Sequence, residues 1–201
     1  DVTAPARDRA RIHHLSLDGA MHEAWSTEAV LSSGWAQWSG RGAMSVEPTT
    51  SGDAVIYDMR TRDIVARIAL RSARSGYVFN PARKRILAAA DNVDGTYTLD
   101  VFDLPATDPV FTIPDIVGDI RGMDLHPSGR YVACGGSDGR LQVWDVQAGP
   151  EPVFRTNFSE GPGFIAFSNA GHILTAVTDD RRLHAWKWPS GEPLGKFGGF
   201  T

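Results

Sequence analysis

Cysteine is nearly missing from this sequence: Cys134 is the only one in 201 residues. An intrachain disulfide framework is therefore excluded, and an intracellular compartment, cytoplasmic or nuclear, is the expectation. Long apolar runs are missing too. None approaches the roughly 18 residues of a bilayer-spanning helix, so no membrane partner is expected. Basic charge is not in excess, with 20 Lys+Arg against 24 Asp+Glu and a formal charge of -4. Direct nucleic-acid binding by a basic surface is thereby disfavoured, and nucleic acid is expected only through other proteins. No 3.6-residue apolar period is sustained, and Pro, Gly and charges interrupt every apolar run, which excludes long helices. The first residue is Asp1, not Met, as in a trimmed chain or the C-terminal part of a larger one.

What is present is a repeat. The stretch "LQVWDV" (Leu141 to Val146) recurs as "LHAWKW" from Leu183, "LDVFDL" from Leu99, "AVIYDM" from Ala54 and, faintly, "IHHLSL" from Ile12. Its bulky residue falls at Leu15, Tyr57, Phe102, Trp144 and Trp186, at intervals of 42, 45, 42 and 42. The long interval contains the longer turn "DNVDGTY" (Asp91 to Tyr97). Around each mark the same order repeats: a short apolar run, a turn, a second run, a tight turn, the marked run, a polar turn and a fourth run. Four strands per 40–45 residues is the spacing of a propeller blade. The marked strand is apolar at both parities, with Leu141 and Val143 on one face and Trp144 and Val146 on the other. Such a strand is covered on both sides.

At these residues the chain resembles the WD40-repeat β-propellers. The best copy has Gly118-Asp119 where the family usually has Gly-His, Asp138 in the tight turn and Trp144-Asp145 closing the third strand; Asp180 holds the matching place before Trp186. The resemblance implies that the turn Asp joins a blade His, a Ser or Thr and the Trp in a hydrogen-bonded network. Asp119 stands at the His place, Lys187 at the second Asp place, and Phe102, Tyr57 and Leu15 at the Trp place, so these networks are expected to be incomplete and packing to carry more of the stability. The fold expected is all-β, a WD40-like β-propeller portion over residues 1–201. It comprises a half blade at 10–28 and four blades at about 30–70, 75–115, 119–158 and 162–200. A ring built from these alone would lack two strands, and propellers avoid open edges by closing. The chain is therefore expected to be the C-terminal part of a larger, seven-bladed propeller, with the missing blades on the same polypeptide or another chain among its partners.

Candidate chemistry is sparse. His13 and His14 are neighbours on a strand and point to opposite faces, so they cannot chelate one ion together. No zinc-binding spacing surrounds His22, His126, His172 or His184, and no metal or cofactor is expected. Cys134 lies in an apolar strand with nothing near it to lower its pKa, as an inert buried thiol does. Asp179 and Asp180 are followed by Arg181 and Arg182, a solvated turn rather than an acid/base pair. Asn157-Phe158-Ser159 has the form of a glycosylation acceptor, relevant only in a secretory compartment. Trp25, Trp35 and Trp38 are expected to pack against blades outside the chain, or to anchor an interface.

The resemblance places partner binding on the face made by the turns between second and third strands and the entries to each blade. Here that face collects Arg74, Tyr97, Arg121, Ser137, Arg140, Phe164, Arg181 and Arg182, with Ser75, Asp94 and Gly163 beside them. Its arginines suit an acidic peptide or another carboxylate-bearing partner. The function expected is a non-catalytic scaffold or complex subunit that binds other proteins. Two alternatives stay open. One is a propeller enzyme or small-ligand protein with its site on the central channel, which would need convergent polar residues from several blades. The other is a substrate-receptor subunit of a ubiquitin ligase, against which stands Gln147 where the W-D-x-R signature has Arg.

Overall fold

The computed structural model describes the backbone of residues 11–15, 21–26, 37–38 and 44–48. It describes backbone and side chains of 53–58, 61, 63–69, 76–80 and 82–198. All the regular structure among the described residues is strand. A two-stranded sheet comes first, β1 (Arg11–Leu15) with β2 (Met21–Ser26). The second sheet is β3 (Gln37–Trp38), β4 (Met44–Pro48), β5 (Asp53–Asp58) and β6 (Ile64–Ala69). The third is β7 (Gly76–Asn80), β8 (Arg85–Asp91), β9 (Tyr97–Asp103) and β10 (Phe111–Ile116). The fourth is β11 (Ile120–Leu125), β12 (Tyr131–Gly136), β13 (Arg140–Asp145) and β14 (Pro152–Asn157). The fifth is β15 (Pro162–Phe167), β16 (Ile173–Thr178), β17 (Leu183–Lys187) and β18 (Glu192–Phe197). Each four-stranded sheet is an antiparallel meander in chain order, because the Gly, Asp and Ser turns are too short for any crossover. The extra residues of the long interval sit in the β8–β9 hairpin, whose strands have 7 residues each against 6 in β12 and β13.

The four four-stranded sheets stack face to face and share three apolar seams. Between the second and third sheets, Ala54, Ile56 and Ile68 meet Tyr77, Phe79, Ile86 and Phe102. Between the third and fourth, Leu87, Leu99 and Val101 meet Leu125, Val132, Cys134 and Trp144. Between the fourth and fifth, Ala133, Leu141 and Val143 meet Ile165, Phe167, Leu174, Trp186 and Trp188. Alternation along a strand sets this arrangement. The marker aromatic points back toward the preceding sheet, while its neighbours Val101, Val143 and Ala185 point forward. β9 and β13 are accordingly buried at both parities. Packing is tight enough that Trp188 Nε1 is the only described buried side-chain N or O atom lacking a partner.

Polar ties pin the end of the stack where β7, β11 and β15 finish. Asn80 donates through Nδ2 to the carbonyls of His126 (3.1 Å) and Pro127 (3.2 Å) in the next sheet. His126 repeats the step one sheet on, with Nε2 2.9 Å from the Gly171 carbonyl. The Phe167 N–H donates to Asp124 Oδ2 at 2.7 Å, so a carboxylate of the fourth sheet holds the backbone of the fifth.

Candidate functional site: the turn face

The opposite end of the stack is built from the β8–β9, β12–β13 and β16–β17 turns and the entries to β11 and β15. Tyr97, at the start of β9, donates its hydroxyl to Asp119 Oδ1 at 3.3 Å, across from the third sheet to the fourth. The Asp119 N–H donates to Ser137 Oγ at 2.8 Å, and the Ser137 N–H returns to the Asp119 carbonyl at 2.9 Å. Arg121, on β11, forms an ion pair with Asp179 in the β16–β17 turn. A file of polar contacts thus crosses three sheets, Tyr97 to Asp119 and Ser137, then Arg121 to Asp179. No side chain can fit beneath it at Gly161, where an added Cβ would lie 2.9 Å from the Gly136 carbonyl.

Arg140 stands 3.5 Å from Asp138, and Arg182 stands 3.4 Å from Asp180. Arg181 adopts a φ of 59°, and among the described residues its side chain has no ion-pair partner. Phe164 is 62% exposed, an apolar group in water at the entry to the fifth sheet. Arg74 and Ser75 lie outside the described residues, as does Trp35, and so do the side chains of His13, His14, Trp25 and Trp38. The acidic partners Asp119 and Asp179 are the part that sequence reasoning missed. Asp179 was read only as half of a solvated turn; the opposite charge one repeat before it, on Arg121, was the available signal.

The blade markers are placed as follows. Tyr57, Phe102, Trp144 and Trp186 are buried in their sheets. Asp145 is buried and accepts from Arg130 Nε and Nη2, the latter at 2.6 Å, and from the Gln147 N–H at 3.0 Å. Those Arg130 hydrogen bonds hold its carboxyl below the ordinary carboxylate range. Asp138 accepts the Arg140 N–H at 3.0 Å, closing its turn.

A cleft of about 400 Å³ opens between the fourth and fifth sheets, lined by Asn157, Phe158, Thr178, Asp180, His184 and Lys196 among others. Thr178 is buried and donates its hydroxyl to Asp180 Oδ1 at 2.5 Å; His184 Nε2 stands 3.4 Å from the same hydroxyl. This bond holds the Asp180 carboxyl low, while burial pushes the His184 imidazole down. His184 stacks on Trp186 with an interplanar angle of 13°. The order of contacts is wrong for a nucleophile, because the hydroxyl donates its hydrogen bond to the carboxylate, which therefore does not serve to orient the imidazole. The trio fastens the turn: the Thr–Asp part of the family's network forms here, with a strand histidine beside it. Cys134 is buried and its thiol is pushed up to about 12 by desolvation. Among the described residues no three His, Cys, Asp or Glu side chains converge as a metal site would require.

The family model described as "WD domain, G-beta repeat" matches residues 108–145. The chain is 24% identical over 147 residues to the DDB1- and CUL4-associated factor 13 of Xenopus laevis, covering 73% of this chain and 33% of that protein. It is 21% identical to the histone acetyltransferase type B subunit 2 of Candida glabrata, over 69% of this chain and 36% of that protein. The chain thus spans about a third of the length of these curated relatives. Among solved structures, a chain of the mitotic checkpoint complex superposes with a TM-score of 0.74 at 18% identity, over 96% of this chain and 59% of that one. No helix among the described residues is long and apolar enough to cross a membrane.

Proposed function

Since the chain belongs to the WD40-repeat family, we propose that it is a non-catalytic scaffold that holds a protein partner on its turn face. The observation that carries this reading is the file from Tyr97 to Asp179, which crosses three sheets and leaves Arg121, Arg140 and Arg182 at least two-fifths exposed. Rigid turns hold these groups at fixed spacing, so little conformational entropy is lost when a partner docks. The partner is an acidic segment of another protein. Each of the three arginines already has an aspartate beside it, so a partner carboxylate must displace one. Exposed ion pairs contribute only about 0–1 kcal/mol, and the exchange is therefore cheap. Arg121→Glu combined with Arg140→Glu is expected to abolish co-purification of the partner while lowering the thermal unfolding midpoint by only a few degrees. Binding that survives the double reversal at low salt sinks the reading.

A second reading is favoured by one relative's name, which associates it with DDB1 and CUL4. In that reading the chain is the substrate-receptor subunit of a ubiquitin ligase. Gln147, whose N–H is engaged by Asp145, occupies the place of the signature arginine and counts against it. Titration of the purified chain with DDB1 decides between the two.

A further inference from the structure

In every four-stranded sheet the residue two before the marker aromatic is paired with a fixed position on the outer strand. The pairs are Val55 with Arg67, Asp100 with Thr112, Gln142 with Arg155 and His184 with Lys196. Arg67, Arg155 and Lys196 put a cation at this position in three of the four sheets, and the surroundings of each differ. In the second sheet the paired residue, Val55, is buried and apolar. In the third, Thr112 donates to Asp100 Oδ1 at 2.6 Å and the pair satisfies itself. In the fifth, Lys196 shares its cleft with Asp180 and Glu160. The fourth sheet departs from all of these. Beside Gln142 and Arg155, on the same face of β13 and β14, stands a second pair, Arg140 with Asn157.

These four side chains line a hollow of about 290 Å³, and no carboxylate is among its described lining residues. Gln142 is half-buried, and among the described residues neither its amide nor that of Asn157 has a hydrogen-bond partner. Arg140 and Arg155 are diagonal neighbours across the two strands, a separation of about 7–8 Å that long side chains span. Each has an acid beside it outside the hollow: Asp138 is 3.5 Å from Arg140, and Glu151 is 3.1 Å from Arg155. Surface pairs of this kind are weak. A guanidinium also carries more N–H donors than one carboxylate can accept, so both arginines keep donors for a ligand.

We propose that this hollow is a subsite for a phosphorylated side chain of a protein partner, held between Arg140 and Arg155, with the amides of Gln142 and Asn157 donating to its remaining oxygens. Charge decides for phosphate over carboxylate. A carboxylate that displaces Asp138 or Glu151 exchanges one monovalent partner for another. A phosphate monoester brings a charge of roughly −1.5 to −2 and three strong acceptor oxygens. It bridges both arginines at once and gains where a carboxylate breaks even. The two amides add hydrogen bonds without adding charge. That the phosphate arrives on a protein rests on the proposed turn-face reading, because Arg140 belongs to both surfaces. Arg155 belongs to the hollow alone, which separates the two in an experiment.

Fluorescence anisotropy of the protein with two labelled pentapeptides tests this. One carries phosphoserine at its centre with glutamate on either side; the other carries glutamate at the centre too. The phosphopeptide is expected to bind about ten-fold tighter. Arg155→Gln should remove that margin and leave the affinity for the glutamate peptide unchanged. Glu151→Gln, which takes away the resting partner of Arg155 without touching the hollow, should raise phosphopeptide affinity a few-fold. Inorganic phosphate should displace the phosphopeptide more strongly than chloride at the same ionic strength. Equal affinity for the two peptides, a margin that survives Arg155→Gln, or no binding of either peptide overturns the proposal. If the peptides bind equally and Arg121→Glu with Arg140→Glu abolishes both, the turn-face reading stands without the phosphate subsite. Vesicles of phosphatidylcholine with a phosphatidylinositol phosphate are the control for a lipid source. Their co-sedimentation with the protein, lost in Arg155→Gln while the peptides are not distinguished, overturns the proposal in favour of a membrane.

Discussion

Single residues of this chain act mainly by whom they hold. Asp145 accepts from Arg130 and from the Gln147 N–H, and its carboxyl is held low by the first of these. A depressed folded-state pKa means stability that is present above the ordinary carboxylate pKa and lost as pH falls through the depressed value. Asp145→Asn should therefore unfold at lower urea than the parent at pH 7, and the gap should narrow as pH falls below the ordinary carboxylate value and close once it is below the depressed one. Asp124 runs the other way. Burial raises its pKa, so its contribution is present below the ordinary carboxylate value and lost as pH rises through the raised one. The recurrence of Trp144-Asp145 made the aspartate legible in the sequence as punctuation. Its partner was not legible, because a period says where a residue falls and not whom it meets. The fifth sheet shows the rule from the other side: Lys187 replaces the acid where His172 replaces the arginine, so both members change together. The turn arginines behaved likewise. Their positions could be read; the aspartates beside them belong in part to the next repeat.

At the scale of strands, the apolar runs and Gly/Asp/Ser turns were enough to place the strands of the last three sheets, because a two-residue alternation needs no knowledge of the partner. Bulges were hidden. The register shifts between Ile56 and Tyr57, between Val143 and Trp144 and between Ala185 and Trp186, each time just before the marker aromatic. The extra residue turns the outer strand locally beside the marker, and the Trp144 and Trp186 rings pack against the preceding sheet. Close approach was hidden as well, since a glycine in a strand reads as weakness until its neighbour is seen. Gly136 ends β12 with its Cα against the Asp119 carbonyl, into which any Cβ would drive. Gly136→Ala is expected to cost about 1–3 kcal/mol in urea unfolding, because the obstacle is main chain and cannot rotate away. Leu141→Ala, at a fully buried forward position, is expected to cost about 2–5 kcal/mol.

Among the described residues the four-stranded sheets form a stack in which each packs on its neighbours, so stability should vary along it. Hydrogen exchange followed by mass spectrometry is expected to show the slowest amides in β9 and β13, which are covered on both sides. β18, exposed at every residue, should exchange first among the strands of the last three sheets. Uniform protection across those sheets would contradict a stack of this kind. The presence of four four-stranded sheets could be read from the intervals of a marker residue; what covers the outer face of the fifth could not, because a repeat pattern does not say what lies against it. The seams also carry a direction. At each joint the marker aromatic faces back and its strand neighbours face forward, so each sheet shows different faces to the sheet before it and the sheet after it. Surfaces that join unlike to unlike do not close into a two-fold dimer; with nothing to stop them they add copies in one direction and grow into rings or fibres. The fifth sheet departs from that pattern, with Phe164 and Val177 where the third and fourth sheets carry Gly or Ala, which disfavours head-to-tail addition at this face.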